Sequence, residues 1–350
     1  MKKLKKKRNS VVKQVEEYTK TTIKKSKVEY LDTGSTLLNL ALSSKGKGGG
    51  WARGRIVNLV GDGSSGKTLL ALEACAQALY HFPKKSNIYP SVNNVDIVYN
   101  NVEGVMDFEL GDMYGENFEK SIQWEHSNTC EEFGRHFHKM VQEHKKGDCL
   151  IYVVDSLDAL GSEKGRERIR ESIKGDKEEK GSYGTEKAKY FSSFFKEICA
   201  TTSGKDITLI CISQIRQNIG VMFGEKYFRC GGKSLDFHIH QGVWLRECKK
   251  LKKTFKGQDR VYGIRVHARV KRNKVAIPFR EAEFNVLFNY GIDNMGSLIE
   301  HEYPKEKNKK KLIQEMENSV EEYERLQKKV EEDWHEIEKA IKPDRKKRFL

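Results

Sequence analysis

Eight residues limit what this chain can fold into more than any others: Gly61-Asp62-Gly63-Ser64-Ser65-Gly66-Lys67-Thr68. The apolar run Arg55-Ile56-Val57-Asn58-Leu59-Val60 before them reads as a buried strand, and Leu69-Leu70-Ala71-Leu72-Glu73-Ala74 after them reads as a helix start. A glycine-rich turn closing on Lys-Thr between a strand and a helix is the context of a phosphate-binding P-loop. Glycines let the backbone curl until its N–H groups point at an anion, and the helix that follows adds the positive end of its dipole. In that geometry Lys67 reaches the β- and γ-phosphates of a nucleotide, and the Thr68 hydroxyl ligates Mg²⁺. The plain alternative is a glycine-rich connection with no ligand. The complete spacing, with both flanks in place, argues against it.

Three further apolar runs read as strands of the same layer. They are Val95-Asp96-Ile97-Val98-Tyr99-Asn100-Asn101, Cys149-Leu150-Ile151-Tyr152-Val153-Val154 and Ile207-Thr208-Leu209-Ile210-Cys211-Ile212. Helical stretches lie between them, among them Cys130 to His144 and Glu186 to Ala200, while Pro83 to Asn94 reads as a polar loop. Buried β-branched runs alternating with helices predict an α/β fold around a mostly parallel, doubly wound sheet. Such sheets bind ligands at the carboxyl ends of their strands. Glu103, Asp155 and Gln214 fall at those ends, as the P-loop does. Asp155, closing an apolar strand, suits Mg²⁺ coordination directly or through a water, the alternative being an N-cap of the next turn. Glu103 can polarise a water for attack on a γ-phosphate, or it is a plain surface carboxylate. Gln214 can read that phosphate by a hydrogen bond, or it satisfies backbone groups.

Charge narrows the partners. The 350 residues carry 65 Lys and Arg against 50 Asp and Glu, a formal net charge of +15, so an acidic polymer is the expected partner, nucleic acid before an anionic membrane. The seven cysteines show neither Cys-x-x-Cys nor zinc spacing and read as reduced thiols, which fits a cytoplasmic chain. The Lys-rich start lacks the apolar h-region of a signal peptide, and no apolar run is long enough to span a bilayer. Residues 1–29 form a basic arm in which Val12, Val15 and Tyr18 share helical spacing. It reads as a DNA-facing or subunit-docking arm, or as a solubilising tail. Two long polar segments follow the third and fourth strands: Gly161 to Gly184, and Ile215 to Lys233. In the second, basic residues interleave with Ile219, Met222, Phe223, Tyr227 and Phe228, a composition that neutralises phosphates while wedging or stacking between bases. A mobile surface loop is the alternative, and so many exposed apolar groups argue against it.

Between about Leu31 and His301 the chain resembles the RecA-type recombinases, in a divergent form of the phage or mobile-element kind. The resemblance rests on Asp32-Thr33-Gly34-Ser35, on Gly54 to Thr68, on Val153 to Leu160, on Gln214 to Gly224 with Gly231-Gly232, and on Arg272 to Phe284. It implies a RecA-like P-loop core using ATP and Mg²⁺. Glu103 falls on the family's catalytic base, Asp107 near the adenine, and Gln214 on the residue coupling γ-phosphate to DNA. Gly161 to Gly184, with Tyr183, is similar to the first DNA loop. The second DNA loop would present Arg216, Asn218, Ile219, Val221, Met222, Phe223, Lys226, Arg229 and Lys233. Phe237 matches an interface residue of the allosteric relay. Arg272 and Lys274 match paired lysines that reach across a subunit boundary to a neighbour's ATP.

The chain also departs from the family. Gly63 stands where bacterial members have glutamate, Arg272 replaces a lysine, and Leu110 sits where an adenine-stacking aromatic is expected. The compact C-terminal domain with its acidic tail gives way to a charged stretch, 302–350. In it Ile313, Met316, Val320, Tyr323, Leu326 and Val330 recur at helical spacing, reading as a docking or duplex-capturing helix or as one packed on the core. The expected division is therefore arm 1–29, ATPase core 30–301 and helical extension 302–350. The expected function is a DNA-dependent ATPase that forms a homo-oligomeric filament, or alternatively a ring, on single-stranded DNA. It would pair that strand with duplex DNA, working with single-strand-binding or loader proteins in a bacterial or phage-infected cytoplasm. A non-catalytic DNA-binding accessory paralogue and a hexameric helicase are the alternatives.

Overall fold

The structure, a computed structural model, describes residues 28–346 apart from 84–87, 90, 105, 107, 175–182, 203, 218–226 and 230–231. A short lead of β1 (Tyr30–Leu31), α1 (Thr36–Ser43) and β2 (Trp51–Ala52) precedes the first core strand, β3 (Ile56–Gly61), and the P-loop helix, α2 (Lys67–His81). There follow β4 (Val95–Asn101), α3 (Leu110–Tyr114), α4 (Glu116–Ser121), β5 (Ile122–Glu125), α5 (Cys130–Glu143) and β6 (Cys149–Asp155). Next come α6 (Glu163–Ile173), α7 (Tyr183–Thr201), β7 (Ile207–Gln217), β8 (Tyr227–Arg229) and α8 (Gly232–His238). The chain continues through β9 (Gln241–Phe255), β10 (Gln258–Asn273), β11 (Glu281–Leu287), β12 (Gly291–Asp293), α9 (Asn294–Glu302), α10 (Lys309–Glu317) and α11 (Val320–Ala340).

One ten-stranded sheet runs in the order β12-β11-β10-β9-β3-β7-β6-β4-β5, with β8 paired to β7. The α/β class holds, and the four apolar runs form its centre. The pairs β9–β3, β3–β7, β7–β6, β6–β4 and β4–β5 are parallel. All seven residues of β6 are buried, which is why that strand reads as an unbroken apolar run: helices cover both of its faces. One face packs α1 and α2 through Leu38, Leu70 and Ala74; the other packs α5 and α7 through Phe133, Phe137, Phe191 and Phe195. Helix α5 starts on a capping box, with Thr129 accepting from the Glu132 amide and Glu132 accepting from the Thr129 amide.

Register sets the edge that matters. Gly61 is level with Gln214 on β7 and with Leu245 on β9, while Asn101 on β4 is level with Asp155 on β6. The carboxyl ends of β3, β4, β6 and β7 therefore finish along one rim.

Three features depart from the sequence reading. Gly161 to Gly184 is not a loop throughout, because α6 occupies Glu163–Ile173, capped by Ser162 and tied to α5 by an Arg135–Glu163 ion pair of 2.7 Å. None of its residues is buried, so it carries no apolar period to reveal it. Strand β7 continues to Gln217 and returns antiparallel as β8, so Ile215 and Arg216 lie on a strand. Strands β9 to β12 form an antiparallel half of the sheet that apolar runs did not announce. Of the two readings of the extension after residue 302, packing on the core is the one observed: Leu326 and Val330 of α11 join the same core cluster as α2. Around them Gln327 donates to Thr36, Arg280 pairs with Glu338, and Lys47 meets Glu324 at 2.8 Å. The proposed basic arm helix lies outside the described residues. No helix among the described residues is long and apolar enough to cross a membrane.

Two predictions follow from this packing. Leu326→Ala, at a side chain 3% exposed, is expected to lower unfolding free energy by about 2–4 kcal/mol. Val320→Ala on the same helix, 73% exposed, should cost less than about 0.5 kcal/mol. Denaturant titration of both variants checks the contrast. His240 sits where β3 begins; its amide donates to the Ile56 carbonyl at 2.8 Å and its Nδ1 accepts from the Ile56 amide at 3.3 Å. Burial, helped by Arg55, Lys274 and His238, holds its imidazole down at about 4 against an ordinary 6.5. That contribution to stability is complete above pH 6.5 and is lost as pH falls from there toward 4. Melting temperature should therefore drop over that window, and less steeply in His240→Asn, which keeps an acceptor for the Ile56 amide.

Candidate active site

The P-loop connects β3 to α2 between two parallel neighbours. A side chain at Gly61 would put its Cβ 2.4 Å from Ser65 Oγ and 2.8 Å from the Leu245 carbonyl, and Gly66 turns at φ +83°. Both positions need glycine. Gly63 does not, for a Cβ there meets nothing within 4 Å. The loop is closed by Ser65 Oγ, which donates to the Asp62 carbonyl at 2.8 Å.

Lys67 is buried, with its Nζ donating to the Asp62 carbonyl. Burial lowers its pKa, and the carboxylates of Asp155, Glu103, Asp62 and Asp158 oppose that shift. Thr68 Oγ1 donates to Asp155 Oδ2 at 2.7 Å, and the Tyr99 hydroxyl donates to the same oxygen at 2.8 Å. Burial raises the Asp155 pKa against the pull of those two hydrogen bonds. Beside it, Glu103 Oε1 accepts from Ser156 Oγ at 2.9 Å and from Gln214 Nε2 at 3.1 Å. The structure thus brings Lys67, Thr68, Glu103, Asp155 and Gln214 to one place. A hydroxyl oxygen and a carboxylate oxygen in contact are hard donors, and they fit Mg²⁺ bound with phosphate.

A cavity of about 550 Å³ opens beside the loop, lined by residues 64–69, Phe108, Lys250, Ile264 and Phe288. Leu110 is buried in the core, whereas Phe108, 41% exposed, faces this cavity. An aromatic wall is therefore present, two residues before the position where the resemblance looked for one. Asp107 lies outside the described residues.

Arg272 and Lys274 are not in this cluster. Arg272 sits level with Gly242 of β9, and Lys274, one residue past the end of β10, bonds the His240 carbonyl through its amide at 2.8 Å, both at the opposite rim from Leu245 and Gly61. That is roughly 10–17 Å along the strand at about 3.3 Å per residue. Lys274 Nζ donates to the Phe237 carbonyl, and burial, followed by the Arg272 charge, lowers its pKa. Arg272 Nε is buried without a hydrogen-bond partner among the described residues. Phe237 itself is 66% exposed.

Of the residues expected to face DNA, Arg216 is exposed on β7. Arg229 departs from that expectation: it is buried, with its guanidinium on Asn58 Oδ1 and Asp236 Oδ1, and it props β8 against β3 and α8. Its place between two aromatics and a cysteine did not distinguish a strut from a contact. Asn218, Ile219, Val221, Met222, Phe223 and Lys226 lie outside the described residues, as do the side chains of Tyr183 and Lys233. Sequence reasoning missed Tyr99 and Ser156 as partners of the site. The one available signal was Tyr99, a polar-tipped residue two places before the end of a buried strand.

Comparison with known proteins fits this arrangement. A family model described as the RecA N-terminal domain matches residues 6–293. The protein RecA of Synechocystis sp. is 32% identical over 275 residues, 78% of this chain and 68% of its own length. That of Arthrospira platensis is 32% identical over 300 residues, 83% of this chain and 73% of its own. That of Colwellia psychrerythraea is 31% identical over 273 residues, 78% and 70% respectively.

Tyr99→Phe removes one of the two donors that aim Asp155. Loss of such a supporting bond is expected to raise the Mg²⁺ concentration needed for half-maximal nucleotide binding by about tenfold. Titration of a fluorescent nucleotide at fixed concentration measures it.

Proposed function

The chain belongs to the RecA family, and from that premise we propose that it is a DNA-dependent ATPase that assembles on single-stranded DNA and promotes homologous pairing and strand exchange. The observation that carries the reading is the 3.1 Å hydrogen bond from Gln214 to Glu103. Glu103 stands beside the Lys67–Thr68–Asp155 cluster, and Gln214 is on the strand that leads into the second polar segment. A group that touches both the hydrolytic rim and the root of that segment can couple one to the other.

In this reading the P-loop amides and Lys67 hold the β- and γ-phosphates of ATP. Thr68 and Asp155 hold Mg²⁺, which when bound neutralises phosphate charge. Glu103 Oε1 orients the attacking water and takes its proton, while Ser156 and Gln214 aim that oxygen. Phe108 and Phe288 offer apolar surface to the base.

The placement of Arg272 and Lys274 supports a shared site. Set at the opposite rim from their own P-loop, they are placed to meet the nucleotide of another copy. A helical filament supplies that neighbour on each subunit. Cations delivered in this way stabilise phosphoryl-transfer charge only after assembly, which ties turnover to oligomerisation. The net charge of +15 and exposed Arg216 fit a polyanionic track for that assembly.

ATP turnover with and without single-stranded DNA, alongside a joint-molecule assay, tests the proposal. Turnover that rises with DNA, together with joint molecules, is expected. Hydrolysis without pairing points to a helicase-like motor, and binding without hydrolysis to an accessory role. Lys67→Ala should reduce turnover by about 10²-fold or more. Arg272→Ala should lose turnover while still binding nucleotide, and doping it into unmodified chains should poison their neighbours. Full turnover by isolated monomers would overturn the shared site.

A further inference from the structure

One carboxylate that the mechanism leaves without a task lies between the nucleotide rim and the second polar segment. Asp158 follows β6 by three residues, and its side chain is 4% exposed. Its Oδ2 accepts the Gln214 backbone N–H at 2.8 Å. Its Oδ1 is buried without a hydrogen-bond partner among the described residues and stands 3.6 Å from Arg216 Nε. The Asp158 carbonyl accepts from Lys187 Nζ at 2.9 Å, and the same ammonium donates to the Leu160 carbonyl at 2.7 Å. The backbone that carries the carboxylate is thereby tied to α7.

The two oxygens address two residues with different duties. Gln214 carries the side-chain amide that reaches Glu103, so the bond to its backbone sets where that amide points. Arg216 is two residues further along β7, 55% exposed, at the margin of the polar segment. At 3.6 Å its Nε is within ion-pair range of Asp158 but beyond a good hydrogen bond. Such a half-exposed pair is weak, and a phosphate oxygen able to make short, charge-assisted bonds competes with it.

We propose that Asp158 is a positioning residue that fixes the register of Gln214 and holds the Arg216 guanidinium inward until a nucleic-acid phosphate takes it over. This rests on the DNA-binding reading above. The carboxylate is a brake on binding through one oxygen and a brace for coupling through the other. The two duties separate by substitution, because asparagine keeps an acceptor for the Gln214 amide and loses the charge, while alanine loses both.

The test compares the unmodified chain with Asp158→Asn, Asp158→Ala, Arg216→Gln and the Asp158→Asn/Arg216→Gln double variant. Each is read by binding to a fluorescent oligo-dT strand and by ATP turnover with and without that strand. Asp158→Asn should bind the strand about two- to fivefold more tightly, the scale of a half-exposed ion pair. Arg216→Gln should bind more weakly, and in its background Asp158→Asn should change nothing. DNA stimulation of turnover should survive in Asp158→Asn and fall about fivefold in Asp158→Ala, which strands the Gln214 amide. Binding that weakens in Asp158→Asn, or tightens equally without Arg216, overturns the brake. Equal stimulation in the asparagine and alanine variants overturns the brace. An unmodified chain that neither binds the strand nor turns over ATP overturns the functional reading and this inference together. Failure of the variants alone, in a chain that does both, overturns only the inference.

Discussion

The Asp155 carboxylate, held by the Thr68 and Tyr99 hydroxyls, is the interaction on which the remaining site geometry depends. It joins three elements that are distant in sequence: the P-loop helix, β4 and β6. A carboxylate this buried is costly unless hydrogen-bonded, and two donors on one oxygen offset part of that cost while fixing the carboxyl plane. Their geometry also fixes the height of α2 relative to the sheet. Lys67, one residue before Thr68, is therefore placed without freedom to drift. Glu103 follows from the same arrangement, since its amide and that of Val102 both bond the Asp155 carbonyl. The rim is rigid because it is hydrogen-bonded across strands, not because any one loop is stiff.

The sheet has two halves with different duties. Its parallel half aligns strand ends along one rim and builds a complete phosphate cradle there. Its antiparallel half carries Arg272 and Lys274 away from that rim to the opposite edge. These two cations therefore lie away from the P-loop of the same chain. Under the proposed function that separation is the reason for assembly. Lys274, bonded to the carbonyl of exposed Phe237, links this edge to α8, which follows the second polar segment. Through α8, Asp236 and Arg229, the same edge connects back to β3 at Asn58.

The C-terminal extension changes how the core is closed. Helix α11 lays Leu326 and Val330 on the layer that includes the P-loop helix, and Tyr323 bonds Asn294 at 2.7 Å. Asn294 in turn accepts from the Thr36 amide at 2.8 Å, where α1 begins. A highly charged segment thus becomes structural through a stripe of a few apolar residues, with its charges left in water.

From sequence alone the P-loop, the four central strands, the nucleotide-side rim and the family were legible. Each rests on a local pattern: an eight-residue spacing, an apolar run buried on two faces, an acid at a strand end. Local patterns survive without knowledge of the fold because the backbone geometry they require is local too. What only the tertiary structure decided was pairing. Arg216 and Arg229 are both arginines in one basic, aromatic segment, and nothing nearby in the chain says that one faces solvent while the other is buried against Asn58, 171 residues earlier. The antiparallel half and the partnership of Tyr99 with Asp155 were hidden for the same reason, which also left two readings open for α11. A hydrogen bond or a buried contact between distant residues depends on register and packing, and those exist only once the sheet has formed.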